Sequence, residues 1–372
     1  MDPLSGSAPV EPKPTMKSDR GGSPVRHLIL IGACYMDTIL TVPSFPEEDS
    51  KLRATELQVR RGGNCPNTLE VFQQLLSSLP SNSNSATGSE STIKPTAYLV
   101  SSLPDREASA TNKILSSFGA SVVDNDSRGG HDDADPGSRI NFDHCLYRAG
   151  HQEPASSYII RSSATQSRTI VNYNELAEMT TDEFIKIVKT FVDDPNGSGG
   201  DDLWWHFEGR IPTTTLQCIR HLRDVLPSSC ISVEIEKPNR EGLDRLAAEA
   251  DVVFYSRTWA ESRGYTGPEA CLRGEAISPG PSLMLCTWGE QGASGLFPSG
   301  GGEWEYMQYR AKLSGGDISV VDTIGAGDTF IAGMLFGLVC HTHDWSQQER
   351  LAFATELATK KVQIDGFAGL LG

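Results

Sequence analysis

The sequence has no basic excess: 32 Lys and Arg stand against 48 Asp and Glu, a formal net charge of −16 over 372 residues. A field of that sign argues against nucleic acid and acidic membranes as partners. A single anionic nucleotide can still be held by helix N-termini and a few local cations. No apolar run approaches the length of a membrane span. The first 26 residues are rich in Pro, Ser, Gly and Lys and have no apolar segment of the secretory type, so they are expected to form a disordered tail. Eight cysteines, at 34, 65, 145, 218, 230, 271, 286 and 340, include no CxxC pair. In a chain this long that predicts reduced thiols and a cytoplasmic protein instead of a disulfide scaffold. The P-loop pattern GxxxxGK[ST] is missing, and the dinucleotide fingerprint lacks its third glycine after Gly325 and Gly327. Any nucleotide must be held another way.

What is present is an alternation of short apolar strands with helical stretches. His27–Ile31, Ala97–Ser101, Ser157–Ile160, Thr169–Asn172, Leu203–Phe207, Ser232–Ile235, Asp251–Tyr255 and Ser282–Thr287 read as strands. Asn67–Leu76, Thr214–Val225 and Asn239–Ala248 have helical spacing. This order predicts an α/β fold with a central, mostly parallel sheet flanked by helices. Between Thr38 and Arg61 the pattern changes to extended, alternating segments that fit a small β-sheet lid (about 38–61) on a core running from residue 27 to 372. Polar, turn-rich stretches at about 77–95, 124–139 and 193–202 read as surface insertions.

The segment Val320–Phe330 carries the chemistry. Val320-Val321 is expected to end a strand, Gly325-Ala326-Gly327 to turn the chain, and Asp328 to fall in the first turn of an apolar helix. Glycines let backbone amides converge there, so the helix N-terminus becomes an anion hole beside a carboxylate. Phosphoryl transfer to an alcohol needs that pair, a base for the hydroxyl proton and dipoles for the moving charge. The same four residues also suit a plain turn with a capping Asp.

Asp322–Gly333 (DTIGAGDTFIAG) resembles the C-terminal signature of the ribokinase-like, or pfkB, carbohydrate kinases, and Arg61–Asn67 (RGGNCPN) resembles their N-terminal one. Within the family, Phe45–Ser50, His206–Arg210, Ser232–Pro238, Cys286–Gly292 and Gly366–Gly369 are similar to the ketohexokinase branch. The resemblance implies the ribokinase-like fold and transfer of the ATP γ-phosphoryl, with Mg²⁺, to the C1 hydroxyl of fructose. Asp328 would be the base and Gly325, Ala326 and Gly327 the anion hole. Asp37, Gly63, Asn64 and Asn67 would bind the sugar. Asp49 would reach a partner's sugar site in a homodimer clasped through the lids. Arg168, Lys237, Gly289, Gly292 and Gly327 would hold the nucleotide, with Trp288 packing and not stacking. His206–Arg210 is expected to support the pocket from behind.

The chain departs from the family at one point. Where many members carry Asn-x-x-Glu it reads Ser256-Arg257-Thr258-Trp259, which leaves the metal ligands unassigned. Cys340-His341-Thr342-His343 mimics metal spacing with no second cluster and reads as surface. Rival acceptors are ribose, another sugar or a nucleoside, and a non-catalytic sugar sensor of the same fold is the rival of another class.

Overall fold

The computed structural model describes residues 24–79, 94–119, 140–165, 167–194, 200–276, 280–299, 303–312 and 320–371. The expected tail and the insertions at 77–95 and 124–139 lie wholly or mostly outside these residues, and so does half of the insertion at 193–202. The chain first forms β1 (His27–Ile31), β2 (Tyr35–Val42), β3 (Glu56–Gly62), α1 (Asn64–Ser78), β4 (Thr96–Val100), β5 (Ser102–Leu103) and α2 (Ser109–Ser116). Next come β6 (Ile140–Asn141), β7 (Leu146–Tyr147), β8 (Ser156–Ser162), β9 (Arg168–Tyr173), α3 (Thr181–Val192), β10 (Leu203–Phe207) and α4 (Pro212–Val225). Then follow β11 (Cys230–Ile235), α5 (Leu243–Glu249), β12 (Val252–Tyr255), α6 (Arg257–Ser262), α7 (Pro268–Glu275) and β13 (Leu283–Thr287). The last elements are β14 (Ala293–Pro298), β15 (Trp304–Tyr309), α8 (Ala326–Val339) and α9 (Gln347–Lys361).

The large sheet runs β15-β14-β13-β12-β11-β10-β1-β4-β6, parallel from β13 to β6, with β14 and β15 antiparallel at one edge. Its central strands are apolar on both faces because both faces are covered. Leu28 and Leu30 point into one buried cluster with residues of α1 and α8, while Ile29 and Ile31 point into the other with residues of α3 and α4. Helix α8 is buried at every residue from Asp328 to Val339. Glycine allows that fit at one point: a Cβ on Gly333 would stand 2.7 Å from Ala354 Cα of α9.

The second sheet, β3-β2-β8-β9, is the lid. Here the structure corrects three sequence expectations. Ser157–Ile160 and Thr169–Asn172 belong to the lid and not to the core series, since β8 pairs parallel with β2 and antiparallel with β9. Strand β8 alternates in burial from Ser156 to Ile159, as in a sheet with one open face, and β9 is exposed along its whole length. Val320 and Val321, the first described residues after 312, are not themselves in a strand: both are exposed, and Val321 N donates to Val362 O at 2.7 Å. Helix α5 begins at Leu243, not Asn239, because Asn239 (φ 60°) and Gly242 (φ 89°) are left-handed and hold the chain out of the helix.

Candidate active site

The site is assembled where β1 and its parallel neighbours end, the usual place for ligands in open α/β sheets. After β1 the chain turns through Gly32-Ala33-Cys34 into β2, which carries Asp37. The Asp37 carboxylate is buried under Gly62, where any Cβ would collide with it. Burial pushes its carboxyl up, and the Ser157 hydroxyl with Arg60, Arg61 and Arg168 pulls it back. Gly63 caps α1 at φ 106°, and a Cβ there would collide with the Ala33 carbonyl. Only glycine satisfies both conditions, and it sets Asn64 and Asn67 on the first turn of α1.

Those two amides meet the rest of the site directly. Asn67 Nδ2 donates to Asp328 Oδ2 at 2.7 Å, while Asn67 Oδ1 accepts from Arg61 Nη1 at 3.3 Å. Asn64 Nδ2 donates to Glu234 Oε2 at 2.7 Å and Glu236 Oε2 at 2.9 Å. Asp328 itself sits in the first turn of α8, after Gly325 in the left-handed conformation (φ 80°). Gly325 rests on the Phe367 ring with no room for a methyl group, whereas a Cβ on Gly327 would meet nothing within 4 Å. The turn is therefore backed on one side and open on the other.

Burial, then Glu234, pushes the Asp328 carboxyl well above the usual range; Asn67 opposes the shift, and Glu236 and Glu208 add to it. Burial likewise raises Glu234 to about 8, and raises Glu208, repelled next by Glu234, to about 7. A carboxylate with heightened proton affinity, in the first turn of a helix, can take a proton from an alcohol.

Glu208, Glu234 and Glu236 are the residues that sequence reasoning missed. His206 does stand behind the site, as expected: it is fully buried, bonded to Ser232 Oγ at 2.8 Å and Glu234 Oε1 at 3.0 Å, with burial lowering it to about 3. Glu208 does not stand behind it; its Oε2 accepts from the Ala33 amide at 2.9 Å within the acidic cluster. The available signal was position, since Glu208 and Glu236 directly follow β10 and β11 and Glu234 is the penultimate residue of β11.

Other candidates are less closely gathered. Arg168 opens β9, exposed, on the Asp37 face of the lid and within electrostatic reach of Asp37. Lys237 is exposed just after β11 and pairs with Glu236 at 2.9 Å. Asp49 is exposed at φ 59° in the loop between β2 and β3, and among the described residues no hydrogen bond or ion pair joins it to the cluster. Gly289 and Gly292 flank a single 3₁₀ turn between β13 and β14. A Cβ on Gly292 would strike the Tyr309 carbonyl, so its glycine is required by the fold itself. Trp288 is buried, packing as expected.

Among the described residues one His/Cys/carboxylate group has metal-like spacing, Cys65, His206 and Glu234. Both His206 nitrogens are already bonded, so that network is satisfied without an ion. His341, from the Cys340–His343 stretch, stacks on Trp345 at 3.9 Å and bonds Asp344.

Residues 138–368 match the model of the pfkB family carbohydrate kinases. Ketohexokinase from Mus musculus is 28% identical over 355 residues, spanning 93% of this chain and 99% of the relative. Ribokinase from Giardia lamblia has the same fold at a TM-score of 0.67 and 16% identity, covering 93% of this chain and 95% of that one. Arabidopsis thaliana ribokinase, solved with ribose and ATP, superposes at a TM-score of 0.63 and 18% identity, over 92% and 94% of the chains. The family match spans well over half of the sequence, and the fold is ribokinase-like: the chain belongs to the pfkB family of carbohydrate kinases and is an ATP-dependent sugar kinase.

Proposed function

We propose that this kinase transfers the γ-phosphoryl of ATP to the primary C1 hydroxyl of a ketohexose, fructose in the first instance. One observation carries the assignment of roles: Asn67 on the sugar-side helix bonds Asp328 on the anion-hole helix at 2.7 Å. An acceptor read by α1 therefore lies against the base. Asp328 takes the hydroxyl proton, and the amides of Gly325–Gly327 stabilise charge on the moving phosphoryl. Asp37, Asn64 and Asn67 orient the sugar, and Gly63 admits it close to backbone. Arg168, Lys237 and Gly289 are proposed on the nucleotide side. The acidic cluster around Asp328 offers the oxygen donors that Mg²⁺ prefers, with half-buried Glu236 the most accessible of them. Mg²⁺ bound with ATP would offset phosphate charge.

Fructose rests on the ketohexokinase likeness along nearly the whole chain. Ribose is the second reading, favoured by the likeness in fold to ribokinases. A homodimer through the lid is supported by its outer face. Leu40, Leu57, Val59, Tyr158, Val171 and Tyr173 are all exposed, and the strand register puts them on the side opposite Asp37.

The test is ADP release with fructose, ribose, other ketoses and adenosine, with Asp328→Asn alongside. Fructose-dependent turnover that the variant loses by about 10²–10⁴-fold is expected. Turnover on ribose alone would replace the ketohexose assignment, and an active Asp328→Asn would remove the base from the mechanism.

A further inference from the structure

Beneath the anion-hole turn lies a lysine with no access to solvent. Lys361 ends α9 at 0% exposure. Its Nζ donates to the Asp322 carbonyl at 3.2 Å, to Asp322 Oδ2 at 3.1 Å and to the Ile364 carbonyl at 3.4 Å, and lies 5.3 Å from the centre of the Phe367 ring. Lysine is almost never fully buried unless paired.

The partners of this ammonium are the start of the catalytic turn and the C-terminal loop that backs it. Asp322 begins the turn, and the Phe367 ring is the surface on which Gly325 rests. Gln74 of α1 holds the Phe367 carbonyl at 3.0 Å. Asp322 is shared further. Its Oδ1 accepts from the Ile324 amide at 2.9 Å, and its Oδ2 from Arg60 Nη1 at 3.2 Å. Arg60 belongs to lid strand β3, and its neighbour Gln58 reaches Asp365 Oδ2 at 2.7 Å. The lid, the C-terminal loop and the turn thus meet around one buried cation.

We propose that Lys361 is a positioning residue for phosphoryl transfer. Its ammonium acts as an internal monovalent cation that ties the start of the Asp322–Asp328 turn to the C-terminal loop backing Gly325 and, through Asp322 and Arg60, links that turn to the lid. This rests on reading Gly325–Gly327 as the anion hole. Truncating the side chain would leave a cavity walled by the Asp322 and Ile364 carbonyls, which lose their donor, and by the Asp322 carboxylate, which keeps Ile324, Arg60 and Gly366 but loses its buried cation. An ammonium ion has the charge and donors to refill it, whereas tetramethylammonium is too large and has no N–H. The contacts lie on the phosphoryl side, so kcat should move while the sugar KM stays.

The experiment uses full-length Lys361→Ala assayed in ammonium chloride and in tetramethylammonium chloride. In tetramethylammonium, kcat should fall at least 100-fold with sugar KM within threefold of the parent. Ammonium at ~100 mM should restore at least tenfold and, without substrate, raise the melting temperature of the variant but not of the parent. Lys361→Gln fills the space without the charge and should stay slow in both salts. If Lys361→Ala folds only with ammonium, that dependence reads the same contact. A folded Lys361→Ala with kcat within threefold of the parent in tetramethylammonium overturns the proposal, as does an ammonium effect on neither rate nor melting. The melting arm is independent of substrate: ammonium-specific stabilisation in a chain whose parent turns over none of the sugars keeps the cation site and rejects the substrate assignment.

Discussion

Gly325 and Gly327 stand two residues apart in one turn, yet the structure gives them opposite reasons to be glycine. Gly325 is left-handed at φ 80° and pressed against the Phe367 ring; Gly327 lies inside the helix with open space where its Cβ would be. Alanine at 325 would cost about 1–2 kcal/mol for the left-handed backbone and about 1–3 kcal/mol for overpacking against Phe367. An unfolding entropy of about 2.1 cal/mol/K per residue over 372 residues is about 0.8 kcal/mol/K, so Gly325→Ala should lower the melting temperature by about 3–6 °C. Gly327→Ala meets no atom and exchanges glycine for a better helix former, so it should melt no lower than the parent. Its methyl group instead enters the open side of the turn, where the phosphoryl is expected to pass. The backbone amide is kept, but the methyl group would hold the phosphoryl away from it; full loss of one such donor costs about 10²–10³ in kcat, and the Gly327→Ala loss should reach up to that order. Calorimetry and ADP-release kinetics on the two variants read both effects. A stable, fully active Gly327→Ala would refute the placement of the anion hole, and a Gly325→Ala that melts with the parent would refute the packing argument.

The acidic cluster should set stability and activity against each other with pH. Glu234 and Glu208 have folded values raised to about 8 and about 7 from an ordinary 4.5, and Asp328 is raised too. Their contribution to stability is complete below about pH 4 and is lost as pH rises through 7 to 8. Ligand-free melting temperature should therefore fall across pH 6–8.5 as Glu208 and Glu234 ionise, and kcat/KM should rise with pH as Asp328 gives up its proton; Glu234→Gln should flatten the melting curve, and a melting temperature that climbs over this range contradicts the assignment. Asn64 is oriented by a chain from Trp204 through Ser232, His206 and Glu234. His206→Phe should raise the sugar KM several-fold with a smaller change in the ATP KM, and an equal rise in both would point to a general loss of structure. On the lid, Leu57→Asp with Val171→Asp should shift the protein to monomer in sedimentation velocity, and a parent that is already monomeric would remove the proposed clasp.

Much of this architecture was legible in the chain because strand and helix periods are local. HLILI and LWWHF could be read as buried parallel strands, since only a sheet covered on both faces hides every residue of such runs. Asp328 and Asn67 were also legible, each beside glycines that open a helix. The lid was only half legible. Its β2–β3 part announced itself by alternation, but β8 and β9 read like core strands, because nothing local says which sheet a strand will join.

The sequence by itself determined the chemistry on offer: a carboxylate beside a glycine turn, an amide pair after Gly62-Gly63, and a nucleotide held without a P-loop. Only the tertiary structure decided how those groups behave. Burying Glu208, Glu234 and Asp328 together, from β10, β11 and α8, makes each hold its proton more tightly than it would in water. Placing Lys361 under Asp322 sets a cation from the last residue of α9 beneath a turn that begins 39 positions earlier. Proton affinity and clamping depend on which charges share a low-dielectric space, and that neighbourhood exists only once the chain has folded.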